Sequence, residues 1–357
     1  MDTQNTFDIF IVASPGLEDT LLGEVIEKGF TNPVLTPGGI TIQGGWPDVW
    51  RANLELRGAS RVLARIGSFM AFHLAQLDKR SRKFPWAQVL RPDIPLRVQV
   101  TTKASRIYHA GAAAQRIETA LRESLGATIS PEAELVLKVR IDDNVVTISL
   151  DSSGESLHIR GHKEAVGKAP MRETLAALLL SKAGYRGTET VVDPMCGSGT
   201  FVIEAAEIAL GLNPGRSRSF AFESLASFDA DAFAALRDAI PKSTNLRFFG
   251  SDRDAGAIRM SRANAERAGV SELIEFENHA AGQLQPPPGP PGLVMVNPPY
   301  GGRIGNKKLL YPLYATLGQT LLDRFKGWRV GLVTSEPPLA KATGLPWKPQ
   351  GAAIAHG

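Results

Sequence analysis

Residues 7–13, apolar but for Asp8, read as a strand, and Leu17, Leu21, Leu22, Val25 and Ile26 then recur at helical spacing before a hairpin-like stretch around Pro37, Gly38 and Gly39. The pattern predicts a small βαββ unit. A second block follows: a helix over 50–66, a strand over 96–101, an Ala-rich helix over 110–125, and strands over 134–141 and 145–150 around a turn at Asp142, Asp143 and Asn144. Residues 151–170 turn to Ser, Gly, His and Lys, the composition of a connector.

Beyond that point the rhythm changes. Helices are expected over 171–182, 201–210 and 255–268, and strands over 190–193, 246–252, 274–277 and 293–297. Strands alternating with helices predict a mostly parallel, doubly wound sheet. Two interruptions stand out: residues 211–245, which carry Phe220, Phe222 and Phe228, and the run 286–291, whose five prolines cannot donate ladder hydrogen bonds and so read as a stiff loop.

Composition narrows the class. The chain has 357 residues, 43% of them hydrophobic and 21% charged, which suits folded domains and argues against disorder. At that length two or three domains are expected. No apolar run approaches a membrane span, and the polar start is unlike a secretory signal, so a cytoplasmic protein is expected. The single cysteine, Cys196, excludes an internal disulfide and a multi-cysteine metal site. Net charge is +4, with Lys and Arg in excess over Asp and Glu across 51–163. That asymmetry suits a polyanionic partner, although solvated helix faces give the same count.

The sharpest local feature runs from Asp193 through Pro194, Met195, Cys196, Gly197, Ser198 and Gly199 to Thr200, between a β-branched strand and an apolar helix. Ligands of open α/β sheets bind beyond the carboxyl ends of strands, and the two glycines let backbone turn tightly there. The Gly-Lys-Ser/Thr ending of a phosphate loop is missing, and Asp193 would repel a pyrophosphate. A cationic ligand suits it better. S-adenosylmethionine carries a sulfonium and an ammonium, although a tight turn capped by Asp193 would also explain the glycines. Asp252, within Ser251-Asp252-Arg253 at the next strand end, can accept from two ribose hydroxyls; alternatively it caps the helix at Ala255. Finally, Asn297-Pro298-Pro299-Tyr300 ends a strand. The Asn297 side-chain oxygen and the Pro298 carbonyl can accept from an exocyclic amine, and Tyr300 can stack on a flipped base.

On these residues the second half resembles the class I Rossmann-like methyltransferases that modify exocyclic amines. Met171 to Ala176, Asp193 to Thr200, Gly250 to Asp252 and Asn297 to Arg303 are similar to the THUMP-domain-containing RNA methyltransferases, nearest to the bacterial large-subunit rRNA guanine-N2 enzymes. The resemblance implies an α/β fold: a Rossmann-like methyltransferase domain over 171–357, preceded by a ferredoxin-like segment (1–50), an RNA-binding THUMP domain (51–155) and a linker (156–170) in which His158 to His162 resembles the family's stretch. It implies S-adenosylmethionine as cofactor, held by Asp193, Met195, Cys196, Gly197, Ser198, Gly199 and Thr200 with Ser251, Asp252 and Arg253. It implies Asn297, Pro298 and Tyr300 as the catalytic turn, structured RNA (rRNA before tRNA) as substrate, and no metal.

One position departs from the family. Where relatives place an Asp for the cofactor's adenine, this chain has Ala280, so either Asn278 or His279 compensates or backbone groups read the adenine alone; His279 is read by preference as a surface residue. An appended second methyltransferase domain, found in some relatives, is expected to be absent from a chain of 357 residues. The residues alone leave three other readings open: an N6-adenine methyltransferase, a protein-glutamine methyltransferase, and an RNA-binding assembly factor without turnover.

Overall fold

The computed structural model describes residues 6–164, 171–238, 240–300 and 310–348. The extreme N-terminus (1–5), the end of the expected connector (165–170) and Gly301, Gly302 and Arg303 of the last motif lie outside the described residues. Two compact units emerge: one from the described residues within 6–157 and 218–238, the other from those within 158–217 and 240–348.

The first unit opens with β1 (Phe7–Val12), α1 (Glu18–Glu27), β2 (Val34–Thr36) and β3 (Gly39–Gly44), the βαββ order the pattern predicts. It continues with α2 (Trp46–Glu55), β4 (Arg61–Met70), α3 (Leu74–Arg82), β5 (Leu96–Lys103), α4 (Ala110–Leu125), β6 (Leu135–Asp142) and β7 (Val145–Asp151). All seven strands share one sheet, in the order β2-β3-β1-β4-β7-β6-β5, with only β5 and β6 parallel to each other. The β6–β7 turn places Asp143 and Asn144 at positive φ, 46° and 62°, as a tight hairpin requires.

One expectation fails here. The helix predicted over 50–66 stops at Glu55, and Arg61 onward is strand β4. Val62 and Ala64 are fully buried while Arg61, Leu63 and Arg65 are half-buried, which is the period of a strand. The run Val62, Leu63, Ala64, Ile66 fits helical spacing too, and sheet pairing on both sides of β4 decides between the two. Helix α3 was not expected at all. It is mostly polar and buries only Leu77 and Ser81.

The second unit contains α5 (Glu173–Lys182), β8 (Val191–Asp193), α6 (Thr200–Ala209), then, after an excursion holding α7 (Ala230–Arg237), β9 (Phe248–Asp252), α8 (Ala255–Arg267), β10 (Ile274–Asn278), β11 (Leu293–Val296), α9 (Leu310–Arg324), β12 (Arg329–Leu332) and α10 (Pro337–Ala342). Among the described residues its five strands are all parallel, in the order β10-β9-β8-β11-β12. Every residue of β8 and β11 is buried, because helices cover both faces. Val192, Val294 and Val296 pack with Leu317, Leu321 and Phe325 of the α9 side. The second unit is thus the doubly wound parallel sheet that the alternation predicts, and the first opens with the predicted βαββ segment.

The excursion over 218–238 belongs to the first unit rather than the second. Phe222, Phe228 and Phe233 surround Trp50 of α2, with ring centroids 5.8–6.4 Å from the indole, and the Phe222 amide donates to the Ser152 carbonyl at 3.1 Å. The aromatic residues that stood out in the interrupting segment therefore build core. In the connector region, Arg160 and His162 are buried rather than solvated.

Candidate functional site

The chain runs outward from β8 through β9 to β10, then returns to place β11 on the other side of β8. The two connections diverge between β8 and β11, opening a crevice beyond their carboxyl ends. Asp193 ends β8 and Asn297 directly follows β11, so the two sharpest motifs meet at that crevice. Two adjoining cavities occupy it. One, of about 410 Å³, is lined by Pro194, Met195, Asp252, Arg253, Ala280, Ala281, Asn297, Pro298, Pro299, Tyr300 and Leu313. The other, of about 300 Å³, is lined by Met171, Asp193, Cys196, Gly197, Ser198, Thr200, Met260 and others, and shares Met195, Asp252 and Asn297 with the first.

The glycine loop is tied down at several points. Gly197 and Gly199 take φ of 56° and 84°, and a Cβ on Gly199 would also press to 3.2 Å from Ser261 and Ile203. From α8, the Ser261 hydroxyl donates to the Gly197 carbonyl (2.7 Å) and the Asn264 amide to the Ser198 carbonyl (3.0 Å). Both side chains are fully buried. Beneath the loop, Lys163 donates to the Thr200 hydroxyl (2.9 Å) and the Met171 carbonyl (2.8 Å) and lies 3.1 Å from the Glu173 carboxylate.

Asp252 serves the same loop from the next strand. Its Oδ2 accepts from the Gly197 amide (3.1 Å) and its Oδ1 from the Asp254 amide (2.9 Å), leaving further lone pairs on both oxygens. The suggested helix cap is not Asp252. Asp254 caps α8, its Oδ1 accepting from Gly256 at 2.7 Å, because it stands directly before the first helical residue.

Asp193 is in a different position. It is 2% exposed and accepts one hydrogen bond, from the Met195 amide at 3.1 Å; no cation pairs with it among the described residues. Burial, with the Asp252 carboxylate adding to it, pushes its carboxyl up to about 8 against the Met195 hydrogen bond. Such a group favours a positively charged ligand. The neighbouring Cys196 thiol is also pushed well up, first by burial and then by Asp193, so it is held as the inert thiol.

In the turn after β11, the Asn297 side-chain oxygen is buried without any hydrogen-bond partner among the described residues. An unpaired buried amide oxygen costs roughly 1–3 kcal/mol, so it is held there by the rest of the fold. The Tyr314 hydroxyl of α9 donates to the Pro299 carbonyl at 3.3 Å, and Tyr300 packs on the cluster of Leu310, Tyr314 and Leu339. The arrangement offers an acceptor, a rigid backbone and an aromatic ring at one cavity wall.

Most of the sequence-derived site residues gather at these cavities. Gly199 and Ser251 support the loop without lining either cavity, the Ser251 carbonyl accepting from the Cys196 amide at 2.9 Å. Asn278 and His279 do not line them either. The Asn278 amide donates back to the Asp252 carbonyl (2.8 Å), and the His279 ring lies 3.1 Å from Glu277, so the wall here is made by Ala280 and Ala281. Sequence reading missed Ser261, Asn264 and Lys163. The available signal was two small polar residues three apart on the buried face of α8.

Behind the loop, α6 carries two buried carboxylates. Glu204 lies 3.3 Å from Arg160, and Glu207 lies 3.5 Å from the His162 ring and 2.6 Å from Arg216. Burial pushes the His162 imidazole down, so it remains neutral. The segment 158–162 is thus fixed to the helix that begins at the glycine loop.

Comparison with known proteins agrees with this geometry. The family model for the RMKL-like methyltransferase domain matches residues 160–348, and that for the RlmL ferredoxin-like domain matches 8–63. The chain is 32% identical over 352 residues to the Ribosomal RNA large subunit methyltransferase K/L of Psychromonas ingrahamii; the match covers 94% of this chain and 47% of that protein, so the chain spans about half the length of this relative. Among solved structures, one described as a predicted N6-adenine-specific DNA methylase from Listeria monocytogenes superposes with a TM-score of 0.86 at 30% identity, covering 95% of this chain and 92% of the other. A possible methylase from Clostridium difficile gives 0.83, 30%, 95% and 92%. Among the described residues no helix is long and apolar enough to cross a membrane, and no cluster of metal-ligating side chains occurs. With its crevice at the strand switch point and an S-adenosylmethionine-type loop beside an Asn-Pro-Pro-Tyr turn, the chain belongs to the RMKL-like family of S-adenosylmethionine-dependent methyltransferases.

Proposed function

We propose that this protein transfers a methyl group from S-adenosylmethionine to an exocyclic amine of a base in structured RNA, with guanine N2 of large-subunit ribosomal RNA as the preferred target. The observation that carries the reading is the buried, unpaired side-chain oxygen of Asn297, a residue that lines the larger cavity. It lacks only a donor, and an amino group on a planar base is one.

The residues present fit the cofactor. Asp193 supplies a buried carboxyl for the cationic amino-acid end, Asp252 retains lone pairs for ribose hydroxyls, and Gly197 leaves open space beside the loop. When bound, S-adenosylmethionine supplies an electrophilic methyl on a sulfonium that leaves as a neutral thioether. This chain's own groups then do the aligning. Asn297 Oδ1 and the Pro298 carbonyl accept the two amine hydrogens and aim the nitrogen lone pair, Tyr300 stacks on the extruded base, and the proton is lost to water. No strong base is required.

The RNA assignment draws on the cationic excess over 51–163, on the name of the Psychromonas relative, and on a THUMP reading of the sheet beyond the ferredoxin-like segment. The description of the Listeria structure favours adenine N6 as the second reading. One experiment separates them: mass analysis of nucleosides after incubating the protein with S-adenosylmethionine and undermethylated ribosomal RNA, beside an Asn297→Ala control. N2-methylguanosine that disappears in the control supports the proposal. N6-methyladenosine keeps the mechanism and changes the base, and cofactor binding without any RNA product rejects the RNA substrate.

A further inference from the structure

In the first unit, three loops meet at one end of the seven-stranded sheet: β4–α3, β5–α4 and the β6–β7 turn. Asn144 binds them together. Its carbonyl accepts from the Ala71 amide (2.9 Å), its side-chain oxygen from the Arg106 amide (2.9 Å), and its own amide donates to the Ser105 hydroxyl (3.0 Å). The Asp143 amide donates to the Lys103 carbonyl, and the Thr102 hydroxyl to the Tyr108 carbonyl at 3.0 Å. Ala104, Asp143 and Asn144 all hold positive φ, so the loops are shaped at a conformational cost.

These ordered loops present apolar surface to solvent. Tyr108 is 83% exposed and Phe72 38%, with Met70 and Val145 exposed beside them on paired strand ends. The Arg106 guanidinium lies over the Phe72 ring at 5.5 Å from its centroid. Neither Arg106 nor Lys103 forms an ion pair among the described residues. The acids nearby are Asp142, paired with Arg140 at 2.7 Å, and Asp143 in the turn itself. Exposed rings accompanied by the guanidinium of Arg106 and by Lys103, which stands opposite Asp142 in the β5–β6 register, suit stacking against bases with the phosphates neutralised, and an apolar protein surface would leave Arg106 unused.

We infer that this loop cluster is a docking platform for unpaired bases of RNA, with Tyr108 and Phe72 as stacking surfaces and Arg106 and Lys103 as phosphate and base contacts. The inference rests on RNA being the substrate. It adds where the first unit grips and which form of RNA it grips: a single-stranded loop or bulge adjoining the structured region, not a continuous duplex.

The test uses the full chain with three probes: in vitro transcribed large-subunit ribosomal RNA, a single-stranded oligonucleotide, and a duplex of the same composition. Binding is measured for the unaltered protein, for Phe72→Ala with Tyr108→Ala, and for Arg106→Gln. The double variant is expected to bind the single strand and the ribosomal RNA about 5- to 100-fold more weakly, with duplex binding, cofactor affinity and melting temperature unchanged. Independently, 4-thiouridine placed in the single strand should crosslink to the 103–108 loop of the unaltered protein. If the double variant binds ribosomal RNA as tightly as the unaltered protein does, or the crosslinks map elsewhere, the platform is overturned while the RNA reading stands. An unaltered protein that binds and methylates no RNA overturns both.

Discussion

The loop after β8 and the turn after β11 end neighbouring parallel strands, yet they treat their polar groups in opposite ways. In the glycine loop side chains from other elements hold the backbone: Ser261 on the Gly197 carbonyl, Asn264 on the Ser198 carbonyl, Asp252 on the Gly197 amide. In the Asn-Pro-Pro-Tyr turn the prolines remove donors and Asn297 keeps an unsatisfied oxygen. The first loop is braced before a ligand arrives. The second is incomplete by construction, and a substrate amine would complete it. Within the first loop Asp193 breaks the rule in a third way, as a buried carboxyl without a cation.

The largest effect expected from that contrast is at Asn297. Replacing it with Ala should lower kcat about 10²- to 10³-fold while cofactor Kd moves less than about threefold; comparable losses in both, by single-turnover kinetics and calorimetry, would put Asn297 in the binding loop instead. Asp193 comes next. Its folded value near 8 exceeds its ordinary 3.8, so the unliganded fold binds the extra proton and loses stability as pH rises from about 4 to 8. A cationic ligand must expel that proton. Cofactor affinity should rise with pH between 6 and 7.5, at most about tenfold per unit, with proton release visible as a buffer-dependent heat. Asp193→Asn should bind weakly, lose the buffer dependence and flatten the stability profile; an unchanged pH dependence would place the cofactor's charge elsewhere.

Smaller effects should follow the supports. Asn264→Ala leaves the Ser198 carbonyl without its donor and should destabilise the protein by about 1–3 kcal/mol, weakening cofactor binding more than it slows turnover. Tyr314→Phe removes the bond to Pro299 and should do the reverse, costing about 1 kcal/mol that shows in kcat. His279→Ala should change neither by as much as twofold, because its ring faces Glu277 and not the cavities. A marked loss of cofactor affinity there would mean that His279 takes over the role expected of an acid at Ala280.

Much of this contrast was readable in the residues. Glycines, a strand-ending Asp and an Asn-Pro-Pro-Tyr turn are local signals, and their meeting follows from the alternation of strands and helices. Three things were not local. The 61–66 run fits both periods, and only pairing with β1 and β7 makes it a strand. Ser261 and Asn264 look like ordinary helix residues until the loop is placed above them. Asp254 caps α8 from the position directly before it, whereas the bond from the Gly197 amide to Asp252 comes from a distant segment.

The excursion at 218–238 also bears on how the chain is made. A ribosome releases the first unit's strands long before Phe222, Phe228 and Phe233 appear, so Trp50 waits without its aromatic neighbours until most of β8 and α6 has also emerged. The first unit is thus not a contiguous gene segment. A fragment cut after residue 157 would carry all seven strands and still lack part of its own core, and a nascent chain must hold two unfinished units at once before either can close.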